Sequence, residues 1–168
     1  GYASLVGLDL FTGALRFVTA LGAPAAGAPI AVGKRVLVAT TGPRRGGLSL
    51  FSTEDGSAVF SVPDPGFGAG GGVLALDRTL LVNAPDGKLS ALDLATGAVR
   101  WTSVLASSVE GDVPRKLTPI LRNGAVFVPQ ATIHIVRPAD GRPIGAALPC
   151  DLVPDSLIVD ERGWVFVG

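Results

Sequence analysis

At 168 residues the chain is long enough to bury a core as one domain, and its 48% apolar content excludes disorder. Fourteen basic and fourteen acidic residues cancel, so no overall field draws the protein to nucleic acid or to an anionic membrane. The single cysteine, Cys150, excludes an intrachain disulfide, and no run approaches the ~18 apolar residues of a membrane-spanning helix.

Twenty-three Gly and thirteen Pro set between short apolar runs predict many strands joined by many turns, and no long helix. The first predicted pair of strands runs from about Ser4 to Ala20 around the turn that holds Asp9 and Gly13. "APIAVG" and "KRVLVAT" follow as a hairpin, and "LSLFSTEDGSAVF" then turns around Gly56. "GGVLALD" with "RTLLVNA" is the next hairpin, followed by the strands Lys88 to Leu94 and Ala98 to Leu105 around Gly97. "LTPILRNG" and "AVFVPQ" meet at Asn123 and Gly124, the strongest two-residue hairpin signal there is. "TIHIV" precedes Gly141, and "DSLIVDERG" with "WVFVG" completes the series.

Gly13, Gly56, Gly97 and Gly141 stand 43, 41 and 44 residues apart, each in the same sequence context. A period of roughly 40–45 residues with strand-like flanks is that of a β-propeller, one four-stranded blade per repeat. The turn chemistry fits: Asp93 can accept bonds from amides two and three residues on, while Gly97 can take the positive φ that closes the reversal. Asp9 and Gly13 repeat that arrangement. An aromatic stands four residues after the glycine in three repeats, as Phe17, Phe60 and Trp101, and Gly145 holds the place in the fourth. Bulky rings at a repeated position are expected to pack between blades rather than to cage a ligand. Val38, Val82, Val128 and Val167 likewise recur at a nearly constant distance from their glycines.

At "GKLSALDLATGAVRW" the chain resembles the PQQ-like, or quinoprotein-type, β-propeller repeat, through Gly87, Leu89, Ala91, Leu92, Asp93, Thr96, Gly97 and Trp101. The first repeat matches through Leu8, Asp9, Thr12 and Gly13, and the second through Gly47, Leu48, Leu50, Phe51, Asp55 and Gly56, with Ser52 at the aspartate place. The fourth keeps Asp140 and Gly141, with Arg137 there instead. The expected fold is all-β: four-stranded antiparallel blades in repeats of about 4–46, 47–87, 88–131 and 132–168, within one propeller segment over 1–168. By phase the chain opens on two outer strands, runs through three blades and stops after two inner strands. That predicts a stretch of a ring of about seven or eight blades, with a closed four-bladed ring as the alternative.

The resemblance implies that a quinoprotein enzyme of this kind would need PQQ with calcium, a catalytic aspartate and often adjacent cysteines. The sequence offers one cysteine and no acidic cluster with calcium spacing, so no catalytic, cofactor-binding or metal residue is assigned. "GFGAGGG" contains G-x-G-x-x-G, but strands rather than a helix are predicted after it, so its glycines read as a loop that lets backbone pass close to the propeller axis rather than as a dinucleotide site. His134, the sole histidine, reads as a strand residue, and Cys150 as a small hydrophobe. Asp151, Asp155, Asp160 and Glu161 fall in turn-like contexts where acids are solvated. The candidate interaction loops are "GPRRGG", with Arg44 and Arg45, and "EGDVPRK", with Arg115 and Lys116, since propellers contact partners through such loops.

The function expected is therefore a non-catalytic scaffold for protein–protein contact, from a branch of the family of the kind found in the outer-membrane barrel-assembly machine. The resemblance implies an extracytoplasmic bacterial location, periplasmic or at the outer membrane, and protein partners, including the remaining blades of a longer chain. Part of a PQQ-dependent oxidoreductase, or a ligand-binding sensor propeller, are the alternatives.

Overall fold

The computed structural model describes residues 3–41, 46–63, 71–105, 118–150 and 157–167. These residues form fifteen strands and no helix. In chain order they are β1 (Ser4–Leu8), β2 (Leu15–Ala20), β3 (Ile30–Val32), β4 (Arg35–Thr40), β5 (Gly47–Ser52), β6 (Ala58–Pro63), β7 (Gly72–Leu76) and β8 (Thr79–Asn83). Then follow β9 (Lys88–Asp93), β10 (Val99–Val104), β11 (Ile120–Arg122), β12 (Ala125–Pro129), β13 (Ile133–Val136), β14 (Leu157–Val159) and β15 (Val165–Val167).

Within each sheet, strands adjacent in sequence pair antiparallel. β3-β4-β5-β6 and β7-β8-β9-β10 are four-stranded sheets, β11-β12-β13 is three-stranded, and β1-β2 and β14-β15 are hairpins. The architecture is that of propeller blades. The middle strands of this blade are covered on both faces: Leu80, Leu81, Val82 and Asn83 of β8 and Leu89, Ser90, Ala91 and Leu92 of β9 are all buried. The outermost strand β10 instead alternates between exposed and half-buried positions. The hairpin β11-β12 closes on Asn123 and Gly124 at φ 50° and 75°, the positive values that a two-residue turn matched to strand twist demands.

The fourth repeat departs from the expectation of a third complete blade. Where β6 and β10 edge their sheets, β13 has only isolated bridges, Val136 to Pro143 and Ile133 to Leu148. Pro143 has no N–H to give to a ladder, and Gly145, at φ 77°, leaves the extended region. The segment is held by Arg137 N–H to Arg142 O at 2.9 Å, Ile144 N–H to Ile135 O at 2.7 Å, and a reciprocal pair in which Ile133 N–H donates to Leu148 O at 3.0 Å and Leu148 N–H to Ile133 O at 2.9 Å.

The chain forms two compact units, Gly1–Pro65 with Ala95–Gly97, and Gly66–Leu94 with Ala98–Gly168. In the first, Leu5, Val38 and Phe51 pack with Phe17, Leu21 and Val36. In the second, Leu81, Leu89, Ala91, Val126, Val128 and Val136 pack with Trp101 and Leu105, and a further cluster joins Phe127, Ile133 and Val159. Each such buried Leu, Val or Phe contributes about 1.5–3 kcal/mol.

Candidate functional site

Antiparallel order gives each blade two unlike ends. At one end lie the inner hairpin turn and the repeat turn with its glycine; at the other lie the connection between the two middle strands and the segment leading to the next sheet. The first end is uniform. In the repeat turns, Gly13 N–H donates to Asp9 O at 2.9 Å, Gly56 N–H to Ser52 O at 3.1 Å and Gly141 N–H to Arg137 O at 2.9 Å. All four repeat glycines, Gly97 included, have φ between 69° and 73°, where a side chain is strained.

Asp9, Asp55, Asp93, Asp140 and Asp160 at this end hold turns or pair with arginines. Asp9 accepts from Phe11 N–H at 3.1 Å, Thr12 N–H at 3.0 Å and Thr12 Oγ1 at 2.9 Å. The Thr12 amide, first among these, holds the Asp9 carboxyl below its usual range. Asp55 is lowered in the same way, chiefly by the amide of Ser57 at 3.0 Å. Asp93 is ion-paired with Arg100. In the fourth repeat Arg137 stands at the aspartate place and reaches forward to Asp140, Nη2 to Oδ2 at 2.8 Å, so the backbone turn survives the exchange. Asp160 accepts from the amides of Arg162 at 2.9 Å and Trp164 at 2.8 Å.

The repeated aromatics lie against these turns. A Cβ at Gly56 would overlap the Phe17 ring, one at Gly97 would sit 2.7 Å from Phe60, and one at Gly141 would overlap Trp101. The ring of one repeat thus occupies the space that only a glycine leaves open in the next. Thr19 Oγ1 adds a bond to Gly56 O at 2.8 Å.

The opposite end varies from blade to blade. The middle strands are joined by residues 41–46 between β4 and β5, 84–87 between β8 and β9, and 130–132 between β12 and β13. Sheet-to-sheet segments span 21–29, 64–71 and 105–119. Arg44, Arg45, Arg115 and Lys116 belong to these connections and lie outside the described residues. Within the first unit, Ala26 N–H to Ala39 O and Thr41 N–H to Pro24 O, both 2.8 Å, bind the incoming segment to the end of β4.

In the second unit this end carries a buried amide pair that the sequence reading missed. Asn83, at the end of β8, donates from Nδ2 to Pro129 O at 2.9 Å; Gln130, just past β12, donates from Nε2 to Asn83 Oδ1 and to Ala84 O at 3.1 Å. Both side chains are fully buried, and Gln130 Oε1 has no hydrogen-bond partner among the described residues. The available signal was a polar residue closing each apolar run, in "LLVNA" and "VFVPQ". Nearby, Thr132 Oγ1 and His134 Nε2 are 3.1 Å apart, and burial lowers the imidazole pKa from its ordinary 6.5.

Cys150 is half-buried beside the Phe127, Ile133 and Val159 cluster. The glycine-rich run ends at Gly72, where β7 begins, and β8 follows: two strands stand where a dinucleotide site needs a helix. Asp151 and Asp155 lie outside the described residues. Among the described residues, no three His, Cys, Asp or Glu side chains converge as metal ligands.

Antiparallel blades with a ring-on-glycine contact from repeat to repeat define a PQQ-like β-propeller. A family profile described as "Outer membrane protein assembly factor BamB" matches residues 1–132, and the chain belongs to that family. The solved structure of BamB from Moraxella catarrhalis superposes with TM-score 0.65 at 25% identity, over 84% of this chain and 46% of that one. A europium-containing methanol dehydrogenase shares the fold at TM-score 0.58 and 17% identity, over 86% of this chain and 26% of its own. A quinohemoprotein alcohol dehydrogenase from Comamonas testosteroni does so at 0.54 and 21%, over 72% and 20%. This chain therefore spans less than half of each of these proteins. No curated protein sequence matches it.

Proposed function

We propose that the chain is a non-catalytic propeller module whose loop-bearing blade ends contact other proteins in an extracytoplasmic bacterial assembly. The observation that carries this reading is the contrast between blade ends. At one end Asp9, Asp55, Asp140 and Asp160 hold the turns, while the connections at the other vary in length and sequence from repeat to repeat, as recognition loops do. Membership in the BamB family supports the assembly role and the location outside the cytoplasm. No helix among the described residues is long and apolar enough to cross a membrane.

The test is charge reversal, Arg44→Glu with Arg45→Glu and, separately, Arg115→Glu with Lys116→Glu, in an affinity capture of crosslinked envelope partners. Loss of the same partner band with an unchanged circular dichroism spectrum is expected. Retention of that band in both variants would remove the loops from the proposal.

The dehydrogenase likeness raises PQQ with calcium as a competing cofactor assignment. The described residues do not fit that group: Asp9, Asp55, Asp93 and Asp140, the acids nearest the repeat motif, are engaged by turn amides or arginines, and no acidic set converges among the described residues. No step is assigned through the quinone. Stoichiometric uptake of PQQ in the presence of calcium, with dye reduction by alcohols, would overturn the non-catalytic reading.

A further inference from the structure

Asn123 and Gly124 form the tip of the β11-β12 hairpin, and this dipeptide carries a reactivity beyond the turn it makes. A glycine, without a Cβ, leaves its backbone nitrogen open to attack the carboxamide of the residue before it. Both residues are exposed, and nothing described lies within 4 Å of the Cβ direction of Gly124. Neither the Asn123 carboxamide nor the Gly124 N–H makes a hydrogen bond among the described residues. The other asparagine, Asn83, is fully buried, donates from Nδ2 to Pro129 O and is followed by Ala84. The chain's three Asp-Gly pairs are held back in a different way. The N–H groups of Gly56, Gly87 and Gly141 donate to Ser52 O, Ala84 O and Arg137 O at 3.1, 3.2 and 2.9 Å. Carboxylates, ionised near neutrality, also resist a nucleophile that a carboxamide accepts.

We propose that Asn123 is a site of spontaneous deamidation, and that its isoaspartyl product uncouples β11 from the β14-β15 hairpin. The Gly124 nitrogen gives up its proton to hydroxide and bonds to Asn123 Cγ. The Cγ–Nδ2 bond breaks and the nitrogen leaves, protonated by solvent, as ammonia. Water then opens the resulting succinimide: cleavage at Cγ gives aspartate, and cleavage at the main-chain carbonyl gives isoaspartate, in which the chain runs through Cγ. The sum is one carboxamide and one water converted to one acid and one ammonia. Ring closure needs the Gly124 nitrogen on the Cβ side of Asn123, and the positive-φ turn holds it away. The reaction therefore waits on opening of a tip held by three cross-strand pairs, on a strand with one neighbour in its sheet. Isoaspartate lengthens the turn by one carbon, about 1.5 Å, beside Arg122 and Ala125, the pair that closes it. Arg122 is also the link onward, its Nε donating to Val159 O and Asp160 O at 3.2 Å each. Aspartate, by contrast, suits the same turn.

The experiment incubates the whole chain at mildly alkaline pH, folded and in urea, and maps peptides by mass spectrometry with isoaspartyl-specific methylation. Conversion at Asn123 is expected in both, about tenfold or more slower in the folded chain. Asn123→Gly, which keeps the turn and lacks the carboxamide, should show none. Asn123 still intact in the folded chain after prolonged incubation, or isoaspartate accumulating first at Asp55, Asp86 or Asp140, overturns the site. Folded conversion as fast as in urea overturns the dependence on hairpin opening. The acidic fraction of the aged chain is then compared with Asn123→Asp, which has the same charge and an ordinary backbone. Amide exchange in β14 and β15 is expected to be about threefold or more faster in the aged fraction. Equal exchange in the two overturns the uncoupling.

Discussion

Trp101 lies so close over Gly141 that a methyl group on residue 141 has no room, although the two are in different strand-turn units of successive repeats. The contact couples a backbone requirement to a packing requirement at one residue. Gly141→Ala meets both the strain of positive φ, roughly 1–2 kcal/mol, and the overlap with the ring, roughly 1–3 kcal/mol. Gly13→Ala meets only the first, because no described residue lies near its Cβ direction. Urea denaturation of the two variants should therefore give about 2–5 kcal/mol lost at Gly141 and about 1–2 kcal/mol at Gly13. Equal losses would mean that the ring contact contributes nothing.

Trp101→Ala should lower stability by about 2–3 kcal/mol, at or below the low end of core tryptophan truncations because the ring is only half-buried. It should also relieve Gly141→Ala: the double variant is expected to lose less than the sum of the singles, and strict additivity in the thermodynamic cycle would contradict the contact.

The buried amide pair makes a different prediction. Asn83→Ala leaves Pro129 O without its donor and removes the Oδ1 acceptor of Gln130, at a cost of about 2 kcal/mol. Gln130→Leu takes a donor from Asn83 Oδ1 and Ala84 O but also removes the unsatisfied Oε1 and keeps the apolar volume, so its cost should be smaller, about 1 kcal/mol. The ordering of the two denaturation midpoints is the test.

Asp9 and Asp55 should tilt the acid limb of stability. Their carboxyls are held below the ordinary value of 3.8, so their contribution is present above that value and drains away as pH falls through the lowered folded-state values. Asp9→Asn with Asp55→Asn should flatten the decline of melting temperature in that range. A decline as steep as in the parent chain would assign it to other acids.

His134 acts from the other side. Burial lowers its pKa below 6.5, so the unfolded chain takes up the proton first and stability falls as pH drops from 6.5 towards the folded value. The imidazole is only partly buried, which keeps the effect small. In His134→Gln, melting temperature should lose this part of its pH dependence.

The strands and hairpins were readable from local chemistry: Asn123 with Gly124 marks a turn whatever surrounds it, and the run Leu89 to Leu92 is apolar on both sides of a strand. The missing outer strand of the fourth repeat was half legible. Pro143 and Gly145 are visible in the sequence, but the two bridges that remain depend on where Leu148 returns to Ile133. Asn83 and Gln130 were not legible as a pair, because residues 47 apart meet only when adjacent sheets stack. Arg44, Arg45, Arg115 and Lys116 remain assignments from loop position in the sequence.

By itself, then, the spacing of Gly13, Gly56, Gly97 and Gly141 determined a repeat of strands and turns, because positive φ and strand alternation are properties of a few neighbouring residues. Which ring covers which glycine, and that none among the described residues covers Gly13, was decided only in three dimensions. A ring and the glycine beneath it are about forty residues apart, and their contact exists only where one sheet is laid against the next.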